Sequence, residues 1–307
     1  MQKVILIALV LFAVAVVAQE QQEQAPPAQP AAQKFTTNLT QREAAPSYSD
    51  LYCAGFLTGE SISKTNLIAG GTNSPDETLY ARGNTVFVSG SGMKEGEQYS
   101  VLRELRDPNH YEPFVGQRRE LIAMGQPYAE LGRLRVVALR GSIAVAEVEF
   151  SCQQMTLGDI VIPFREHPPV QFRKSMTMDR FPAGPGHLNA RIVMAREFDT
   201  AVGTGQKVYL NAGSNKGVKV GTYFRAVRYY DPERLNPVDN LSYKAPVGDD
   251  TQKVPGTVSP VTAKNLPARN IGEMIVLNVT QTSATAMITN SLEAIQIGDW
   301  VEMEDEQ

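Results

Sequence analysis

Asp159 and Asp299 are the residues with the clearest chemical potential. Each follows a glycine, Gly158 and Gly298, and each precedes an apolar stretch, Ile160-Val161-Ile162 or Trp300-Val301. Two carboxylates working as general acid and base must both reach one substrate. These two lie 140 residues apart, at matching places in two similar stretches of chain, so they need not face one another. An Asp at such a corner commonly accepts hydrogen bonds from turn N–H groups, and a structural role is the expectation for both. The histidines offer no stronger start. His110, His167 and His187 fall in loop or linker sequence, none paired with a second ligand at helical or hairpin spacing. A zinc site needs about four convergent His, Cys or acidic ligands, so neither metal nor cofactor is expected. Gly90-Ser91-Gly92 with Gly96 has the spacing G-x-G-x-x-x-G and leads into another strand rather than a phosphate-binding helix N-terminus. No Gly-x-Ser-x-Gly elbow is present. No catalytic residue is assigned, and a non-enzymatic protein is expected.

The elements that hold these residues come twice. GNTVFVSG from Gly83, GEQYSVLR from Gly96, GRLRVVAL from Gly132 and LGDIVIPF from Leu157 return as GQKVYLNAG from Gly205, GTYFRAVR from Gly221, GEMIVLNV from Gly272 and IGDWVEME from Ile297. Gly132 to Gly158 and Gly272 to Gly298 both span 26 residues. Shared glycine punctuation in the same order marks an internal duplication. Val86 and Val88 alternate with Phe87, as strand residues do, and Val208-Tyr209-Leu210 keeps that order. Residues 134–139 and 144–150 form an expected hairpin, with its copy at 274–279 and 284–288. No dozen-residue window in the duplicated part carries a clean helical period. Short strands with turn signals between them predict an all-β protein of small barrels or sandwiches.

Ahead of the repeats, Lys3 precedes an unbroken apolar run from Val4 to Val17, and Val16-Val17-Ala18 supplies small residues at a cut site. This describes a signal peptide over 1–18, cleaved after Ala18, too short for the ~20 residues that span a bilayer. A periplasmic or secreted protein with no transmembrane segment in its mature form is expected. Residues 19–47, rich in Gln, Ala and Pro, are read as a disordered linker. The domains then run 48–165 for the first repeat, 166–190 for an interdomain linker with HPPVQF and FPAGPGH, and 191–307 for the second repeat. A net charge of −4 over 307 residues argues against nucleic acid. Cys53 and Cys152 are the only cysteines, and in an oxidising compartment they are expected to form one disulfide rather than two buried thiols.

The phrase VYLNAGSNKGVKVGTYFRAVRYYDP, followed by IGEMIVLNV, SATAMI and IQIGDWV, resembles the C-terminal domain of the bacterial flagellar assembly protein T family. Asn211, Gly213, Gly217, Val218, Gly221, Arg228, Gly272, Gly298 and Asp299 carry the resemblance, which covers 205–303 and extends to 83–164 through the repeat. It implies an SH3-like β-barrel, present as two tandem copies. Gly132, Gly158, Asp159, Gly272, Gly298 and Asp299 are then turn residues of the two barrels. The family's other domains are not recognisable, so a flagellar role is not implied.

The copies differ in the loop between their second and third conserved segments, 106–131 against 231–270. Loops on rigid scaffolds commonly carry recognition. The first contains Tyr111, Phe114, Arg118, Arg119 and Tyr128, and Tyr and Arg are enriched at binding hot spots. These five are the candidate contacts of a cell-envelope protein partner, with loss of Phe114 or of Arg118 expected to weaken capture and spare stability; the competing reading has Tyr111 and Phe114 cover the barrel end as core. The alternative is a peptidoglycan or glycan binder using Tyr111, Phe114, Tyr229, Tyr230 and Trp300 as platforms, although Trp300 is read as core.

Overall fold

Alternation decides which side chains of the first copy point inward. The computed structural model describes residues 36–38, 43–74, 76–174, 177–182, 188–229 and 266–304. The expected signal peptide, the tether up to residue 35, His187, Tyr230 and loop 231–265 lie outside the described residues. Six strands form the first barrel: β1 (Leu67–Gly71), β2 (Thr85–Ser89), β3 (Gln98–Glu104), β4 (Gln126–Arg140), β5 (Ile143–Ser151) and β6 (Ile160–Pro163). In β2 only Val86 and Val88 are fully inside, and β5 likewise buries Ala144, Ala146 and Val148. All neighbours are antiparallel, in the circular order β1-β2-β5-β4-β3-β6.

The second barrel comprises β7 (Asn189–Ala195), β8 (Lys207–Leu210), β9 (Tyr223–Arg228), β10 (Arg269–Val279), β11 (Ala284–Ser291) and β12 (Trp300–Met303). Its circular order is β7-β8-β11-β10-β9-β12, so the two barrels share one topology. The register agrees residue by residue. Gly132 stands between Val101 and Ser151, and Gly272 between Ala226 and Ser291. A Cβ on Gly132 would lie 2.7 Å from Met155 Cε; one on Gly272 would lie 2.7 Å from Ile295 Cδ1. Glycine is needed at this node because a Cβ would also meet the carbonyl of the paired strand, Phe150 O at 2.1 Å or Asn290 O at 2.7 Å, which cannot move aside as a side-chain tip can.

Each barrel also has an opening strand, β1 or β7, that the sequence reading did not include. LIAGG is too glycine-rich to read as a strand, and β7 begins beside the Pro- and Gly-rich stretch read as linker. The fold also takes up part of the segment read as a disordered tether. Thr36–Asn38 pairs antiparallel with Thr177–Asp179. The Ala44 N–H donates to the Thr289 carbonyl at 2.9 Å. Composition predicts disorder from missing apolar side chains, whereas these contacts are made by backbone. Among the described residues, no helix is long and apolar enough to cross a membrane. Both barrels belong to one compact unit.

Candidate functional site: a clamped loop at the seam between the barrels

The seam starts with a short entry segment. Ser47 caps the helix α1 (Tyr48–Tyr52) in a reciprocal capping box with Asp50. Lys207 on β8 donates to Asp50 at 2.7 Å. Burial pushes the Asp50 carboxyl up, but the hydrogen bonds from Lys207 and Ser47 outweigh it and hold the group below its ordinary range. Cys53 follows and is bridged to Cys152, Cα to Cα 5.7 Å, which ties this segment to the end of β5.

The next four residues join the barrels. Ala54 packs with Ile275, Leu277 and Met287 on the second barrel's outer face. Gly55 has φ +67°, and a Cβ there would meet the Tyr128 carbonyl at 2.6 Å and the Tyr209 hydroxyl at 2.9 Å. Phe56–Thr58 pairs with the start of β4, stacking Phe56 on Tyr128. Leu57 points the other way, into a buried cluster with side chains of the second barrel. The carbonyls of Gly55 and Leu57 accept hydrogen bonds from Thr285, Thr280 and Ser283. A disulfide therefore anchors a strand whose side chains serve both barrels.

The loop 106–125 is the second clamp. It contains a helix, α2 (Gln117–Met124), where an irregular loop was expected. Phe114, Leu121 and Met124 pack in one buried cluster with side chains of the second barrel, and the buried Gln117 donates to the Val193 carbonyl at 2.8 Å. The Arg191 guanidinium lies over the rings of Phe114, at 4.3 Å, and Trp300, at 4.7 Å. Glu120 accepts from Asn211 at 2.8 Å and faces Arg191 at 3.8 Å.

This geometry redistributes the five candidate contacts. Phe114 is 7% exposed and buried against the second barrel, where it anchors the loop. Tyr128 is not on the loop: it sits within β4, which begins at Gln126, and is buried with Leu102 and Ile160. Tyr111, Arg118 and Arg119 do face outward. Beside them stand Val115, 91% exposed, and Ile122, 80% exposed, neither of them among the five candidates. Spacing held the signal. Phe114, Gln117, Leu121 and Met124 recur at intervals of three and four, as do Val115, Arg118 or Arg119, and Ile122.

Among the described residues, the aromatic platforms do not form one exposed surface. Trp300 and Phe114 are covered by Arg191, while the hydroxyl of Tyr229 donates to Glu302. The two aspartates are ion-paired in their own barrels. Asp159 takes a two-pronged contact from Arg103, and Asp299 takes one from Arg228. Asp159 also accepts the Thr156 N–H, and Asp299 the Gln296 N–H, each at 2.7 Å. Hydrogen bonding by Asp299 pushes the Arg228 guanidinium further up, against burial.

A cleft of about 900 Å³ runs along the seam, with Phe56, Leu102, Ile162 and Leu277 among its walls. The buried Glu130 lines it, accepting the Gly55 N–H at 3.1 Å and facing His167 Nε2 at 3.3 Å. The His167 N–H donates to the Tyr52 hydroxyl, so this pair ties the interdomain linker to the entry segment. No cluster of three or more His, Cys, Asp or Glu suited to a metal occurs among the described residues. No protein-family model matches the chain, and no curated protein matches its sequence.

Proposed function

We propose that this chain is an exported, non-enzymatic adaptor of the cell envelope that receives a protein partner on the outward face of loop 106–125. One observation carries the reading. The loop is fixed to the second barrel by Phe114, Gln117 and Met124, yet it leaves Tyr111, Val115 and Ile122 uncovered beside Arg118 and Arg119. Large apolar side chains left outside on a preorganised element lower the ordering cost of association, and Tyr and Arg are typical anchors. The leader-like N-terminus and the disulfide support an oxidising compartment outside the cytoplasm.

A photo-crosslinking residue at Ile122, compared with one at Lys94 on the turn between β2 and β3, tests this in the producing cell. The expected result is a discrete protein adduct from position 122 and none from 94. Retention of the protein on insoluble peptidoglycan, with no protein adduct from 122, would replace the adaptor reading by the glycan-binding one.

A further inference from the structure

We infer that the partner's surface brings a carboxylate into the space between Arg106 and Arg118; this rests on the adaptor reading above. The loop holds acids as well as arginines, but its acids are engaged within the protein. Asp107 accepts the Asn109 N–H at 2.8 Å. Glu112 accepts the Gly116 N–H at 3.1 Å and the Arg118 N–H at 3.4 Å. Glu120 is occupied by Asn211 and Arg191 on the second barrel.

The arginines are left with open donors. Arg106 and Arg119 make no hydrogen bond or ion pair among the described residues, and the Arg118 guanidinium donates once, to the His110 carbonyl at 3.0 Å. All three are exposed. Backbone N–H groups leave Asp107 and Glu112 charged, so three arginines against these two acids leave the face one positive charge in excess on a chain of net charge −4. A pocket of about 540 Å³ lies between Arg106 and Arg118, with Tyr111 and Gln117 in its wall. Its one acid, Asp107, is the group already bound to Asn109.

A guanidinium offers a planar fork of donors that matches a carboxylate with paired hydrogen bonds. The neighbouring Val115 and Ile122 ask for apolar side chains from the same ligand, which an acidic polypeptide segment supplies. An anionic lipid surface combines charge and apolar matter too. A helix that lies in a membrane interface buries a continuous apolar face in it, whereas this one turns Leu121 and Met124 to the second barrel and leaves only Val115, just before it, and Ile122 as large aliphatic groups outside. The occupant that fits is therefore an acidic protein segment.

The test uses the mature protein labelled with 15N at its arginines. It is titrated with acetyl-Leu-Glu-Leu-Gly-Glu-amide, with the lysine counterpart of that peptide, and with phosphatidylglycerol vesicles. The acidic peptide should move the Nε–H resonances of Arg106 and Arg118 saturably, and the lysine peptide should not. Arg106→Gln and Arg118→Gln should each weaken binding about tenfold, the loss of one charge-assisted hydrogen-bonded contact. Equal response to both peptides, no response to either, or tighter arginine-dependent binding to vesicles overturns the inference. The crosslink at Ile122 separates the two readings. An adduct that survives the double glutamine variant undiminished sinks the carboxylate and keeps the adaptor, whereas no adduct from the unmutated loop sinks the adaptor.

Discussion

Replacing Phe114 with alanine distinguishes a clamped loop from one held out for a partner. The side chain belongs to the first copy, yet it is buried against the second barrel, under Arg191. Truncating a core phenylalanine costs about 3–5 kcal/mol. The guanidinium–ring contact within that total is worth about 1 kcal/mol, rising as the site is desolvated. Because the loop can lift away instead of leaving a cavity, the lower end applies, about 3 kcal/mol. In a domain of somewhat over a hundred residues each kcal/mol moves the midpoint by about 4 °C, so a fall of about 12 °C is expected. Trp300 is the only tryptophan in the chain and shares the Arg191 guanidinium, so its fluorescence reports on the second barrel directly. Phe114→Leu keeps apolar burial and loses the ring, and should recover most of the loss, leaving about 1 kcal/mol. Suppose Phe114→Ala leaves the Trp300 transition where it was and abolishes the Ile122 crosslink. Phe114 would then be a contact on a free loop, and the clamp would be wrong.

Three further outcomes are expected. Cys53→Ser with Cys152→Ser opens a loop with a sequence separation of 99 and should destabilise by up to about 4–5 kcal/mol in the chain-entropy model. Because Ala54 and Leu57 serve the second barrel, the Trp300 transition should fall too; an unchanged one would confine the bridge to the first barrel. Asp299→Asn should cost more than Asp159→Asn when unfolding is followed by denaturant titration. Arg228 is the less exposed of the two paired arginines, and a broken buried pair costs about 3–5 kcal/mol. Equal losses, or the reverse order, would refute that reasoning. Asp50 has a lowered folded-state pKa, so its contribution is full above its unfolded value near 3.8 and is lost as pH falls through the folded value. Asp50→Asn should therefore remove stability at pH 7 and flatten the acid limb below about pH 4, and a variant losing stability only above pH 6 would contradict it.

What the sequence made legible follows from where selection on spacing is strict. Gly132 and Gly272 are visible because a Cβ would run into the Phe150 or Asn290 carbonyl of the paired strand. Asp159 and Asp299 are visible because one carboxylate closes a turn and pairs an arginine from β3 or β9. β1 and β7 were hidden because glycines and a neighbouring linker mask their alternation. The clamp was hidden for another reason: its inward stripe includes Gln117, polar in type but buried on the Val193 carbonyl. Hydrophobic periodicity counts such a residue against a helix even when it faces inward.

The strongest unused signal is the contrast between the copies. In the first, β2 alternates and its Phe87 is only half-buried. In the second, Val208-Tyr209-Leu210 and the run from Met274 to Leu277 are buried without a break. A strand of a closed barrel has an inner face to fill, and it needs apolar residues on both faces only when something covers the outside. Ala54 and Leu57 of the entry segment, together with helix α2, supply that cover. The duplication preserved the inward nodes, and the two copies diverged in their outer faces so that one barrel seats the other's loops. That asymmetry fixes helix α2 by its inner stripe, and the same packing leaves Val115, Arg118, Arg119 and Ile122 outside on an element already held in place.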